Sequence, residues 1–483
     1  MGRHNLTPET DETYKMANEY KGPNRQQLFQ EGDRAPSRKG LRLLLHRVRS
    51  NPPQLVAAGF LSAIVTGTIL LSTPWAARDG STDFLVALFT ATSAVCVTGL
   101  VVVDTWDHWS MFGQVVIMLL IQVGGLGVMA FVTLFALLLG KRIQLRDRLT
   151  LQKVLGKASM EGIVRIFRYI LLFSFTVEAL GALILSLKWI PVMGLVQGIW
   201  FGVFHSISAF NNAGFDLFGG FQSLSGFTAD PVVNMVISVM FIVGGLGFVV
   251  VYEIFHYRET RRLSVHSKIV LLVTAILITV ATLVILVSEY NNALRDLPLS
   301  GKLLASWFQA VTPRTAGFST LDVNDLLLPT QLMIMFLMFI GGSPGSTAGG
   351  IKTSTFALLG IAIVSLIQNR RETHVFNRRI EASEVSRALS IALLGILLVF
   401  VVTFLLSFAH PGDFLRNLFE VVSALGTVGL SMGLTPELNN WGRILITATM
   451  FLGRVGPLTI GYALAYQRKQ PNIRYPEGRI MIG

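Results

Sequence analysis

The chain has 483 residues, of which 52% are hydrophobic and only 14% charged, and its formal net charge is +12. Soluble domains carry about 25% charged residues, so the composition argues against a soluble protein and indicates an integral membrane protein. The basic residues lie between the apolar runs instead of forming a continuous basic surface, which argues against nucleic-acid binding. Cys96 is the single cysteine, so disulfides within the chain and cysteine-based metal clusters are excluded.

The polar stretches of the chain predict its orientation. Residues 1–53 are polar, interrupted by prolines and without the apolar core of a cleaved signal peptide, and they predict a cytoplasmic N-terminal tail. Of the 40 Lys and Arg residues, 31 lie in five stretches: Met1–Pro53, Lys141–Arg168, Tyr257–Lys268, Gln368–Arg387 and Arg468–Gly483. The connections between these stretches hold few basic residues, so the positive-inside rule predicts that both termini are cytoplasmic.

Between the polar stretches, the chain predicts four copies of one unit. Each copy contains an apolar helix, a short semi-polar helix with a glycine turn, and a second apolar helix. The copies occupy residues 54–140, 168–256, 268–366 and 386–467, with cytoplasmic linkers at 141–167, 257–267 and 367–385 and a C-terminal tail at 468–483. Uncharged windows of about 20 residues are long enough to cross a bilayer. The predicted fold is therefore an all-α membrane protein, with eight transmembrane helices around a central pore in pseudo-fourfold arrangement.

The four short segments align without gaps on one glycine each: Gly99, Gly214, Gly317 and Gly429. An aromatic residue stands ten positions before each glycine. Ser-Ala stands six and five positions before it in three copies, whereas the third copy has Val311-Thr312. A second glycine cluster follows after 25, 30, 24 and 24 residues, starting at Gly124, Gly244, Gly341 and Gly453.

The short segments are too brief to cross a bilayer, so they predict re-entrant half-helices that end in a turn within the membrane. The carboxyl end of a helix favours a cation, and rings of backbone carbonyls replace the hydration shell of potassium in selective filters. Glycine permits the backbone conformation that such a lining needs. The predicted lining is Val97, Thr98, Gly99, Asn212, Ala213, Gly214, Thr315, Ala316, Gly317, Thr427, Val428 and Gly429. Close helix packing is the alternative role of these glycines, and it suits Gly124, Gly127, Gly244 and Gly247 better.

The third copy contains a segment that disfavours a helix, because glycine and proline are costly in a helix interior. It predicts a flexible break below the filter, formed by Gly341, Gly342, Ser343, Pro344, Gly345, Ser346, Thr347, Ala348, Gly349 and Gly350. A plain kink is the alternative. Arg454 replaces a cluster glycine of the other copies, and a charge within a span is usually functional; an ion pair or a carbonyl-capping role stays open. Lys352 either belongs to the same gate or extends to the cytoplasmic interface.

Several other polar residues lie near the predicted filter. His205 and Glu420 follow the aromatic residue of their half-helices, where packing or hydrogen bonding behind the filter is favoured over proton relay. Four acidic residues follow filter glycines and form either a cation-attracting vestibule or a solvated loop: Asp104, Asp107, Asp216 and Asp322.

Residues 209–216, 314–318, 341–353 and 423–430 carry a resemblance to the Trk/Ktr/HKT superfamily of potassium and sodium transporters, most like its Ktr-type membrane subunit. The resemblance covers nearly the whole chain after residue 50. It implies a potassium uptake function, with the 341–350 segment as an intramembrane gate and Arg454 beside it as an electrostatic barrier. In this superfamily a serine at the position of Gly99 is associated with sodium preference, so the glycine here implies potassium.

The resemblance also implies partners, namely a homodimer to which the 474–483 tail contributes and a cytoplasmic nucleotide-binding regulatory ring of the RCK/KTN type. The chain has no phosphate-binding glycine motif of its own, so no bound cofactor is expected. Potassium is the expected substrate, and sodium stays open as the selected, coupling or activating ion. An intramembrane enzyme would need a facing catalytic pair that the sequence lacks, so enzymatic activity is not predicted, and a receptor or scaffold is the remaining alternative.

Overall fold

The structure is a computed structural model that describes residues 52–127, 163–370 and 372–456. Apart from a few residues at their edges, the predicted N-terminal tail and the 141–167 linker lie outside the described residues. The C-terminal tail, with the proposed dimerisation segment 474–483, also lies outside them. Helices dominate the described chain, and one short hairpin joins two of them.

The helices of the first half alternate between long and short elements. α1 spans Pro52–Leu71, α2 Phe84–Cys96, α3 Thr105–His108 and α4 Met111–Leu126. α5 spans Ile163–Met193, α6 Leu195–Phe210, α7 Pro231–Gly245, α8 Phe248–Phe255 and α9 Tyr257–Thr260, with a 3₁₀ turn at Ser225–Phe227.

The second half repeats this alternation. α10 spans Val265–Glu289, α11 Leu299–Val311, α12 Leu328–Phe339 and α13 Thr353–Ile367, with a 3₁₀ turn at Val323–Asp325. The strands β1 (His374–Val375) and β2 (Arg378–Arg379) pair antiparallel. α14 spans Ala382–Ala409, α15 Phe414–Gly426, α16 Leu434–Glu437 and α17 Asn440–Val455.

Helix length separates candidate spans from shorter elements. Within the described residues, three helical stretches are long and apolar enough to cross a membrane: Arg168–Met193 in α5, α10 and α14. α7 and α8 pass the same test as a pair but are bent by 102°. Gly247 lies at this bend with a φ of +90°, a conformation that glycine adopts readily and other residues avoid.

Capping side chains fix several helix starts. Four polar side chains accept hydrogen bonds from backbone N–H groups in the first turn of the helix that follows them: Asp230 before α7, Ser264 before α10, Asp413 before α15 and Asn439 before α17. α10 consequently begins at Val265, directly after Ser264 and ahead of the predicted unit boundary at 268. Hydropathy alone does not locate such a start, because the capping bond is what ends the preceding loop.

The predicted half-helices are α2, α6, α11 and α15, and they are packed in a closed circuit. Each contacts the longer helix that precedes it, namely α1, α5, α10 and α14 respectively. The helix after each half-helix packs against the next half-helix: α4 against α6, α7 against α11, α12 against α15, and α17 back against α2. This circuit places the turns that follow the four half-helices near one another.

Candidate functional site

The four glycine loops meet in one closed ring. A Cβ built on Gly99 would lie 2.5 Å from the carbonyl oxygen of Ala213, which belongs to the second loop. The other ring glycines meet the equivalent carbonyl of the next loop in the same way: Gly214 meets Ala316, Gly317 meets Val428, and Gly429 meets Thr98. Side chains do not fit at such distances, so each of these positions admits only glycine without displacing the neighbouring backbone.

The loops share an unusual backbone conformation. The four ring glycines have φ values from +69° to +99°. The residues two positions earlier also have positive φ although none is glycine: Val97 (+55°), Asn212 (+60°), Thr315 (+70°) and Thr427 (+50°). Positive φ is a strained state for β-branched residues, and it costs about 1–3 kcal/mol at each position. Strain repeated at equivalent positions is typical of functional sites, where the surrounding structure maintains it.

The predicted lining residues other than the ring glycines are buried. Val97, Thr98, Asn212, Ala213, Thr315, Ala316, Thr427 and Val428 are each at most 1% exposed. The atoms nearest to the four ring glycines are backbone atoms of the neighbouring loops, namely carbonyl oxygens and glycine Cα atoms. The half-helices end shortly before the ring glycines, with their carboxyl ends toward the ring. The partial negative charge of these helix ends favours a cation there.

Serine hydroxyls support the first and fourth loops from behind. Ser93 Oγ accepts a hydrogen bond from the backbone N–H of Gly99 at 3.1 Å. Ser423 Oγ accepts the same bond from Gly429, also at 3.1 Å. Both serines stand six positions before their glycine, which gives the Ser-Ala motif of the sequence a physical reason.

In the second and third loops, a hydroxyl donates to the carbonyl that follows the ring glycine. Ser208 Oγ donates to the carbonyl of Phe215 at 2.7 Å. Thr312 donates to the equivalent carbonyl of Phe318. The third copy has Val311 where the others have serine, and Thr312, one position later, supplies the hydroxyl instead. The departure from the motif therefore preserves the support of the loop.

A cavity of about 600 Å³ lies on one face of the ring and is lined by the four ring glycines and residues that follow them. All charged residues in its lining are acidic: Asp104, Asp216, Asp322 and Glu437. Glu437 is paired with Arg416 at 3.2 Å. A cleft with one sign of charge concentrates counter-ions. Asp107, predicted to join this group, does not line the cavity and instead accepts a hydrogen bond from the backbone of Gly220 at 3.1 Å.

The Gly341–Gly350 segment is non-helical and crosses the opposite face of the ring, between α12 and α13. The hydroxyl of Thr347 lies 2.8 Å from Oδ1 of Asn212, a lining residue of the second loop. Gly349 packs so closely on the side chain of Thr427, in the fourth loop, that a Cβ has no room. The segment therefore extends beneath the ring from the second loop to the fourth.

Backbone hydrogen bonds from the break between α7 and α8 hold the Gly341–Gly350 segment in place. Ser343 N–H donates to the carbonyl of Gly245 at 3.0 Å, and Phe248 N–H donates to the carbonyl of Gly345 at 3.0 Å. Both contacts lie at the break between α7 and α8. The position of the segment is thus tied to the position of α8.

The glycine clusters combine two roles. Gly124, Gly244 and Gly453 pack directly against a half-helix carbonyl, that of Val95, Phe210 and Leu425 respectively. This confirms close packing for the first glycine of these three clusters. The last glycine differs, since Gly127, Gly247 and Gly456 have φ values of +79°, +90° and +89° and stand where a helix is interrupted or ends. Among the described residues nothing lies within 4 Å of a Cβ built on Gly127, so the packing interpretation is wrong for that glycine, whereas Gly247 combines its positive φ with a close contact to the carbonyl of Pro344.

Two basic side chains contact the segment. The guanidinium of Arg454 donates to the carbonyl of Thr347 and, at 2.5 Å, to the carbonyl of Gly124. No salt bridge engages it within the described ranges, so the observed arrangement is a carbonyl clamp between segment and first unit. Lys352 folds back so that its Nζ donates to the carbonyl of Ala348 at 2.8 Å, instead of extending toward an interface.

His205 and Glu420 make hydrogen bonds behind the ring. His205 Nδ1 lies 2.8 Å from the carbonyl of Phe201, and its Nε2 accepts a bond from Leu217 N–H at 3.3 Å. Glu420 accepts a hydrogen bond from the hydroxyl of Ser431 at 2.8 Å. Each side chain ties its half-helix to the chain that returns after the ring glycine.

Glu178 is a buried acidic residue that sequence reasoning missed. Its carboxylate, on α5, accepts hydrogen bonds from Gln122 Nε2 at 3.0 and 3.1 Å and from Asn211 Nδ2 at 3.0 Å. Asn211 directly precedes the lining residue Asn212, so the cluster supports the second loop. An acidic residue within an apolar run is a sequence signal for a functional or supporting role. The partners of Glu178 are 56 and 33 residues away, so the sequence around it does not identify them.

Known proteins resemble this chain along most of its length. Residues 43–474 match the TrkH family, described as cation transport protein. The Ktr system potassium uptake protein B of Bacillus subtilis is 42% identical over 90% of this chain and 98% of its own length. The potassium/sodium uptake protein NtpJ of Enterococcus hirae is 40% identical, with the same coverage. The crystal structure of the potassium transporter TrkH from Vibrio parahaemolyticus has a TM-score of 0.67 at 19% identity, covering 85% of each chain.

Proposed function

This chain belongs to the TrkH family of cation transport proteins, and from that membership we propose that it is the ion-translocating membrane subunit of a potassium uptake system. The closed ring of four glycine loops carries the proposal, because it places backbone carbonyls at the carboxyl ends of four half-helices. The matched relatives are transport proteins, which disfavours the intramembrane enzyme as an alternative.

The ring acts as the selectivity filter, with carbonyls of the four loops replacing the hydration shell of the ion. Two observations support this assignment: the predicted lining residues are buried, and each ring glycine lies too close to a carbonyl of the next loop to admit a side chain. Around it we place eight transmembrane helices in pseudo-fourfold arrangement, in keeping with the circuit of half-helices. The acidic cavity forms the outer vestibule, where its charge raises the local concentration of cations.

The Gly341–Gly350 segment acts as the gate. It crosses the face of the ring opposite to the vestibule, so an ion that leaves the filter meets it next. Arg454 and Lys352 add two positive charges against the segment and hold its carbonyls. Opening requires the segment to leave these partners, and its glycine content makes the movement easy.

Potassium is favoured over sodium on two grounds. Gly99 is a glycine, so the first quarter of the ring has the same backbone geometry as the other three. The Bacillus subtilis relative is named for potassium uptake, whereas the Enterococcus hirae relative is named for potassium and sodium. A sodium-selective or sodium-coupled transporter is therefore the second candidate.

The subunit has partners in this proposal. The Bacillus subtilis relative is named as protein B of a Ktr system, so its name points to a further component of that system. We assign that role to a cytoplasmic nucleotide-binding ring on the basic, cytoplasmic side, and we expect the membrane subunit to be a homodimer with both termini in the cytoplasm. Light scattering of the intact chain in detergent tests the dimer, and a monodisperse monomer would contradict it.

Rubidium uptake into vesicles that contain the purified chain tests the proposed function. Uptake should exceed that of protein-free vesicles, and external potassium should compete with rubidium more strongly than sodium does. Equal competition by sodium would favour the second candidate. Absence of uptake from vesicles that hold correctly folded protein would contradict both.

A further inference from the structure

An apolar groove lies between α5 and α8, away from the ring. It encloses about 510 Å³ and is lined by aliphatic and aromatic side chains with few polar atoms: Tyr169, Leu172, Phe173, Val177, Phe248 and Phe255 are among them. Several are exposed, with Leu172 at 65% and Phe255 at 67%. In a membrane protein, an apolar groove of this kind suits an acyl chain.

The length of the groove matches one leaflet of a bilayer. Its lining on α5 runs from Tyr169 to Leu180, which at about 1.5 Å per residue is roughly 16 Å. Half of a hydrocarbon core about 30 Å thick is roughly 15 Å. An acyl chain lying along α5 therefore fits the groove from end to end.

One end of the groove is basic and aromatic. Tyr169 and His256 form its rim, with ring centroids 5.8 Å apart. Arg168 directly precedes Tyr169, and the 257–268 segment that follows His256 contains four basic residues and one acidic residue. Arg168 and Arg258 are exposed, and no salt bridge involves them in the described part of the chain. This end lies on the side that the charge pattern predicts to be cytoplasmic, where basic residues attract anionic lipid headgroups.

The groove also contacts the elements that hold the loops. Phe248, in its lining, donates its backbone N–H to the carbonyl of Gly345 at 3.0 Å. Phe173, on the opposite wall, packs against Phe210, the last residue of the half-helix α6, with centroids 6.3 Å apart. A molecule that fills the groove therefore stabilises the position of α8 and, through it, the Gly341–Gly350 segment.

We propose that this groove binds an anionic phospholipid, whose acyl chain lies between α5 and α8 and whose phosphate meets Arg168 and Arg258. The bound lipid holds α8 in the observed position and so stabilises the closed segment beneath the ring. The effect on flux rests on the proposed function, whereas the binding itself does not.

Native mass spectrometry of the intact chain, equilibrated with phosphatidylglycerol and phosphatidylcholine, measures binding without transport. The wild type should retain phosphatidylglycerol preferentially. The double variant Arg168→Gln/Arg258→Gln should lower that preference about 30-fold, because two arginines near the surface together attract an anionic headgroup by about that factor. The double variant Arg378→Gln/Arg379→Gln makes the same charge change in the hairpin, outside the groove, and should retain the wild-type preference.

A second pair of variants tests the apolar part. Thr176→Trp fills the groove and should abolish retention of both lipids, whereas Leu183→Trp, on α5 outside the lining, should not. In vesicles, adding phosphatidylglycerol to phosphatidylcholine should lower basal rubidium flux severalfold for the wild type, and not for Arg168→Gln/Arg258→Gln.

Equal retention of both lipids by the wild type would overturn the headgroup assignment. If Thr176→Trp leaves lipid retention unchanged, the groove is not the binding site. If the wild type retains neither lipid, the groove is covered by another segment of the chain or by a second copy. Lipid binding without any rubidium flux would leave the site standing and contradict the transport function instead.

Discussion

Replacing Arg454 with glutamine should raise ion flux, because the change removes a positive charge and part of a clamp. The guanidinium donates to two carbonyls, that of Thr347 in the Gly341–Gly350 segment and that of Gly124 in α4. A hydrogen bond to a charged group contributes about 1.5–3 kcal/mol, and a glutamine amide reaches at most one of the two carbonyls. Losing one such bond shifts the closed–open equilibrium of the segment by roughly 10- to 150-fold.

Arg454→Lys separates the charge from the clamp. Lysine keeps the positive charge but lacks the planar fork that reaches both carbonyls. The charge itself matters, since two unit charges about 4 Å apart repel by about 4 kcal/mol at an effective dielectric of about 20. We expect flux to rise from wild type to Arg454→Lys and again to Arg454→Gln, because the first change weakens the clamp and the second also removes the charge.

Rubidium uptake into vesicles, normalised to the amount of monodisperse protein, measures the flux, and thermal unfolding in detergent measures stability. Equal flux in wild type and Arg454→Lys, with an increase only in Arg454→Gln, would assign the barrier to charge alone. A lower melting temperature for Arg454→Gln without any gain in flux per folded molecule would refute the gating role. Arg454 would then only hold the helices together.

Gly99→Ser should reduce the preference for potassium over sodium about tenfold, equal to about 1.4 kcal/mol, because the Cβ of the serine displaces the carbonyl of the second loop. Competition of sodium with rubidium uptake measures this preference, and the control is Gly360→Ser, which places the side chain in open space on α13. Thr312→Val should lower the free energy of unfolding by about 1 kcal/mol and weaken selectivity, since it removes the hydroxyl that supports the third loop. Glu178→Gln should lower the free energy of unfolding by about 1–3 kcal/mol, because the new amide N–H group faces the amide donors of Gln122 and Asn211. Chemical denaturation compares this variant with Glu259→Gln, which changes an exposed residue and should leave the stability unchanged.

Each of these predictions has a contradicting result. Selectivity of Gly99→Ser equal to that of the wild type would remove the first loop from the filter. A Thr312→Val protein with unchanged selectivity and stability would show that the third loop needs no hydroxyl. If Glu178→Gln were as stable as Glu259→Gln, the carboxylate would be protonated or replaceable in its amide cluster, and its support of the second loop would be disproved.

Much of the ring was predictable because its requirements are local. A backbone with positive φ and a close neighbour admits glycine and little else, so the four ring glycines leave a regular trace in the sequence. The non-helical conformation of the Gly341–Gly350 segment was predictable for the same reason, since glycine and proline disfavour a helix at the positions that they occupy. The short helices that precede the ring glycines followed from the same spacing.

The contacts between distant residues were decided only by the tertiary structure. Arg454 reaches Thr347 and Gly124, which are 107 and 330 residues away, and nothing in the sequence around it specifies those carbonyls. Glu178 likewise finds its amide partners on two other helices. Residue type thus determined where this backbone turns, whereas the packing of the half-helix circuit determined which side chains meet, because a hydrogen-bond partner is chosen by position in space and not by position in the chain.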